Sequence, residues 1–140
     1  MSDRYWEHFH HEADIGVRGV GPTVADAFGE AAVALTAVIT DPATVVGRAT
    51  VAIRCEAPDP ELLLVDWLNA LVFEMTTRKM LFSRFSVSIT GQQLHGTATG
   101  ETIDIARHEP AVEVKGATLT ELKVFKDNHG LWHAQCVVDV

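Results

Sequence analysis

Four side chains near the start of the chain, His8, His10, Glu12 and Asp14, lie two residues apart. On an uninterrupted strand that spacing sets all four on one face. Imidazole nitrogens and carboxylate oxygens gathered there could hold zinc or another transition metal. The alternative is a row of solvent-facing residues on a half-buried strand, with His11 on the opposite face unless the chain turns at Ala13-Asp14. At the other end, Asp139 stands beside the main-chain oxygens of Val140. Two anionic oxygen sources side by side suit a hard cation such as calcium or magnesium. The plainer reading is an exposed aspartate at a strand end.

Other chemistry is sparse. The separated glycines Gly16, Gly19 and Gly21 form no dinucleotide fingerprint or phosphate loop, and no nucleophile elbow is present. Lys115 and Lys123 read as solvated strand residues. Trp67, Phe85 and Trp132 read as core rather than as stacking platforms for bases, because few basic residues interleave with them.

The elements that must position these groups follow from periodicity. Val24, Ala27, Phe28, Ala31, Leu35 and Val38 recur at helical spacing and predict a helix across residues 23–40, capped by Thr23 with Asp26 reaching back. Asp59-Pro60 opens a second helix with the stripe Leu64, Trp67, Leu68, Leu71 and Met75, ending near Arg78 or Lys79. Elsewhere the period is two: residues 5–11, 14–20, 51–56, 85–90 and 94–99 read as strands. Asp127-Asn128-His129-Gly130 reads as a turn joining strands 121–126 and 131–140. On the last of these, Asp139 shares a face with Gln135 and Val137. The order of elements predicts an α+β fold, with two helices packed on a largely antiparallel sheet.

The chain has 140 residues, room for one domain across residues 1–140, and its 47% hydrophobic and 21% charged content fits a folded globular protein. The net charge of −8 argues against bulk attraction to phosphate backbones and favours cations or a basic partner. Cys55 and Cys136 read as buried free thiols. The N-terminus has no apolar signal core and residues 62–75 are too short to span a bilayer, so the expected location is cytoplasmic.

Five stretches together resemble the archease family: His11–Arg18 (HEADIGVR), Asp66–Asn69 (DWLN), Leu81–Phe85 (LFSRF), Val114–Thr118 (VKGAT) and the closing Val137–Val140 (VVDV). Archeases are small accessory proteins of RtcB-type RNA ligases. The resemblance implies a cytoplasmic protein, not itself an enzyme, that binds a divalent cation and promotes ligase guanylylation and turnover in tRNA splicing. It carries metal ligation onto Asp14, Asp139 and main-chain oxygen of Val140, with calcium expected first and magnesium or manganese as alternatives. It carries a role in activation onto Lys115, and it favours these residues over His8 and His10. Glu12 stands where the family usually has threonine and could add a carboxylate; Gly116 stands where alanine is common. RNA is expected to be met only through the ligase, and no membrane is involved. Two rival readings are a metal-dependent hydrolase using Glu12, Asp14 and Asp139 around an activated water, and an RNA-binding chaperone with a local basic patch around Arg78, Lys79 and Arg84.

Overall fold

In the computed structural model, which describes residues 3–140, two long helices lie between two antiparallel sheets. Helix α1 (Val24–Ile39) begins where the Thr23 side chain accepts a hydrogen bond from the Asp26 amide at 3.1 Å. The Asp26 carboxylate pairs with Arg4 at 3.1 Å. Helix α2 (Pro60–Arg78) begins with the Asp59 carboxylate on the Leu62 amide at 2.9 Å and proline in the first turn. It ends where Lys79 turns into the left-handed region at φ 54°. Both boundaries fall where capping chemistry predicts them.

Strands β1 (Tyr5–His11) and β2 (Asp14–Gly21) form a hairpin whose two-residue tip is Glu12-Ala13. Glu12 takes φ 54° there, the positive φ that a tight hairpin tip requires. Strands β3 (Ala49–Glu56), β4 (Met80–Thr90) and β5 (Gln93–Thr102) make a separate three-stranded sheet, ordered β3-β5-β4. The first sheet runs β1-β2-β8-β6, where β6 is Gly116–Ala117 and β8 is Trp132–Asp139; β7 (Lys123–Lys126) also pairs with β8. Every strand pair is antiparallel. The α+β class stands as expected, with the strands divided between two sheets rather than laid in one. A one-turn helix α3 (Ile105–His108), a 3-10 turn at Pro42–Thr44 and the two-residue β6 carry too little periodicity to be read in advance. β7 starts two residues later than expected because Glu121 adopts φ 53° and breaks the extended run.

Each helix touches both sheets. The α1 backbone at Ala27 and Ala31 packs directly on Gly19 of β2, where a Cβ would strike it. The Thr36 hydroxyl donates to the Phe82 carbonyl of β4 at 2.6 Å. The Trp67 ring of α2 lies over Gly96 of β5, while its indole N–H reaches the Phe28 carbonyl of α1 at 3.0 Å. Trp67, Phe28, Phe82, Leu35 and Leu64 are among the largest fully buried side chains of one continuous core. No helix among the described residues is long and apolar enough to cross a membrane.

Candidate metal centre

β2 and β8 are neighbours, although one begins at residue 14 and the other ends at 139. Their ladder pairs Ile15 with Val138, Val17 with Cys136 and Gly19 with Ala134. These residues face the helices, as the contact of Gly19 with α1 requires. The ladder ends at Ile15 and Val138, so Asp14 and Asp139 follow directly at adjoining strand ends, and alternation turns both toward the face away from the helices. Asp14 is half-buried and Asp139 exposed.

β6 completes the edge. Gly116 pairs with Asp139, and the Lys115 amide donates to the Asp139 carbonyl at 2.7 Å. Asp139 therefore spends its main-chain oxygen in the sheet and keeps its carboxylate for other partners. Lys115 is exposed at the same edge. Val140 follows directly, half-buried and packed against the core through its side chain. Asp14, Asp139, Val140 and Lys115 thus gather at one corner of the first sheet.

The row of four groups expected on one strand face does not form. The chain reverses at Glu12-Ala13, so His8 and His10 stay on β1 with their side chains on the helix side of the sheet. The His8 Nε2 lies 2.8 Å from the Ala34 carbonyl of α1. Glu12 sits exposed at the hairpin tip. His11, by contrast, pairs with Asp14 and shares its face. Among the described residues, no three His, Cys, Asp or Glu side chains converge into a ready metal cluster. What the corner offers is two carboxylates joined by main-chain oxygen. An all-oxygen donor set of that kind fits calcium, magnesium or manganese better than zinc.

Two supporting contacts carry no signal in residue spacing. Asn69 on α2 accepts a hydrogen bond from the Ala117 amide at 2.8 Å, fixing β6 and the Lys115 edge to the helix. Arg18, four residues further along β2 on the same face, stacks its guanidinium 4.9 Å from the Phe9 ring centre. It donates to Glu7 at 2.8 Å and to buried Gln135 at 2.9 Å, locking β1, β2 and β8 in register. Both residues lie within the stretches that carry the resemblance, which is the one signal that marks them. The thiols do not face this corner: Cys136 points from β8 into the core and Cys55 lies on β3 of the second sheet. Burial pushes Cys136 up to about 12 and half-buried Cys55 to about 11, and both are free.

The family model described as the Archease protein family (MTH1598/TM1083) matches residues 6–140. Protein archease of Pyrococcus furiosus is 37% identical over 141 residues, spanning 98% of this chain and 99% of that one. Protein archease of Methanopyrus kandleri is 38% identical over 139 residues, spanning 96% and 99%. The solution structure of protein 1598 of Methanobacterium thermoautotrophicum superposes with a TM-score of 0.84 at 33% identity, covering 96% of this chain and 98% of that one. A crystal structure of a Thermotoga maritima archease, described as a possible chaperone, shares the fold at a TM-score of 0.58 and 16% identity, covering 96% of each chain. A small α+β domain with two long helices between two antiparallel sheets defines the class. The chain belongs to the archease family.

Proposed function

We propose that this protein is an accessory activator of an RtcB-type RNA ligase, without turnover chemistry of its own, and that it acts through a divalent cation held at the Asp14–Asp139 corner. The observation that supports this reading is the β2–β8 register, which ends at Ile15 and Val138 and so brings the flanking residues 14 and 139 to adjoining strand ends. The carboxylates of Asp14 and Asp139 and main-chain oxygen of Val140 would hold the ion, calcium first, with magnesium or manganese as alternatives. The ion would neutralise the carboxylates and present a positive centre to a nucleotide or to acidic groups of the ligase. Lys115, at the same edge, adds a mobile cation within reach of the same partner. Membership of the archease family supports the reading.

A hydrolase built on Glu12, Asp14 and Asp139 gains little support. Glu12 stands at an exposed hairpin tip rather than beside the two aspartates on the strand face. The test is a guanylylation assay of an RtcB-type ligase at fixed GTP and metal, with and without this protein. Faster formation of the guanylylated ligase supports the proposal. An unchanged rate and extent, with the protein folded and metal present, contradicts it.

A further inference from the structure

The second sheet has its own open face, turned away from the helices. Residues that point inward from it include Val51, Ile53, Leu94, Ala98 and Phe85, and Trp67 of α2 lies against Gly96. The opposite face is a grid read from the register: Thr50–Thr99–Arg84, Ala52–Thr97–Ser86 and Arg54–His95–Ser88. The outermost row is Glu56–Gln93–Thr90.

The charges on this grid are out of keeping with the rest of the chain. The protein carries 19 acidic residues against 11 basic ones, yet Glu56 at the corner is the only exposed carboxylate on this face. Glu101 has the same strand parity but is buried at 5% exposure, where Arg48 and Arg107 already pair with it. Arg54 and Arg84 are exposed, and among the described residues their guanidiniums form no hydrogen bond or ion pair. Strand geometry sets their Cα atoms roughly 16 Å apart along a diagonal of the sheet. Between them lie the hydroxyls of Thr97, Thr99, Ser86 and Ser88, and a recess of about 320 Å³ opens beside Arg54, Gln93 and His95, with Glu56 at its rim. The basic patch expected around Arg78, Lys79 and Arg84 is divided: Arg78 pairs with Glu74 on α2, whereas Arg84 projects from the far side of the sheet.

We infer that this face binds the backbone of double-stranded RNA directly, independently of the cation corner. Unpaired guanidiniums on an otherwise acidic protein select a polyanion. The grid carries no Phe, Tyr or Trp, and the single imidazole of His95 gives no run of rings on which successive bases of a single strand could stack. Hydroxyl and amide groups between the two arginines suit an A-form duplex, whose shallow groove displays 2′-hydroxyls between phosphates. Contact is therefore to phosphate and ribose, independent of base sequence.

The test uses the full chain and a fluorescein-labelled RNA duplex of one helical turn, followed by anisotropy at about 50 mM salt, with amide chemical shifts mapping the contact. The DNA duplex of the same sequence and a poly-glutamate peptide serve as comparison ligands. The inference predicts shifts at Thr50, Ser86, Thr97 and Thr99. Binding to RNA should weaken about tenfold when salt is raised about fourfold, as release from two phosphates requires. The double variant Arg54→Gln/Arg84→Gln should lose most of the binding at an unchanged melting temperature. Undiminished binding by that variant, shifts confined to the Asp14–Lys115 corner, equal affinity for the DNA duplex, or displacement by poly-glutamate would each overturn it.

Discussion

Lys115 leaves its amide in the sheet, on the Asp139 carbonyl, and its ammonium outside it. That division makes the side chain separable from the fold. Lys115→Ala should change stability by no more than about 0.5 kcal/mol, the usual range for an exposed position, while ligase activation falls. Thermal melting and the guanylylation assay, run on one preparation, read the two effects. Activation equal to that of the unaltered protein would return Lys115 to the role of a solvated strand residue. At this scale the motifs that carry the family resemblance single out Asp14, Asp139 and Lys115, whereas spacing alone sets Asp14 in a row with His8, His10 and Glu12, pairs Asp139 with Val140 and leaves Lys115 a solvated residue. Alternation favoured His8 and His10 because it takes the strand to be unbroken. Two residues at the tip, Glu12 at φ 54° and Ala13, reverse the chain and substitute His11 as the neighbour of Asp14.

At the scale of elements, the corner depends on a short strand that no periodicity announces. β6 has two residues, and it is tied to α2 through the Asn69 carbonyl oxygen on the Ala117 amide. Asn69→Ala should cost about 1 kcal/mol, the usual worth of one such bond, and should loosen the Lys115 edge. Hydrogen exchange should then quicken at Lys115 and Ala117 while the Trp67 region of α2 stays protected. Uniform exchange across both would show that Asn69 serves only the global fold. The helices themselves were legible because apolar stripe and caps agree at both ends: Thr23 and Asp59 cap as their positions suggest. The pairing of β2 with β8 was not legible in alternation; only the resemblance, which carries one ion onto both Asp14 and Asp139, implies that these strands are neighbours. A strand's alternation fixes which side chains share a face but says nothing about which strand lies beside it.

For the molecule as a whole, two carboxylates set the response to acid. Hydrogen bonds from Arg107 and from the Val46 amide hold Glu101 down to about 2, and His133 with the Leu131 amide holds Asp127 at about 2. The Asp104 amide donates to Nδ1 of buried His108, so Nε2 carries the hydrogen that faces Glu101. Both carboxyls lie below their ordinary range near 4, so the unfolded chain takes up protons first as pH falls. Their stabilisation is fully present above about pH 5 and is lost as pH falls through about 4 towards 2. Glu101→Gln should lower the melting temperature by several degrees at pH 7, and the difference should close near pH 2. An equal deficit at both values would contradict an electrostatic role for Glu101. This network joins α3, β5 and the loop before β3, which are distant in sequence, and its members look like ordinary surface charges until the fold buries them.

The account rests most heavily on the two aspartates sharing one ion. Calorimetric titration of calcium into the full chain and into Asp14→Asn, Asp139→Asn and the double variant tests this directly, with folding checked by melting temperature. A shared site predicts one bound ion in the unaltered protein. Each single variant should lose at least about tenfold in affinity, equivalent to about 1.4 kcal/mol. The double variant should lose less than the two single losses combined, because removing either ligand already dismantles the site. Undiminished calcium affinity in both single variants, or losses that add in full, would contradict the claim that Asp14 and Asp139 form one cation site.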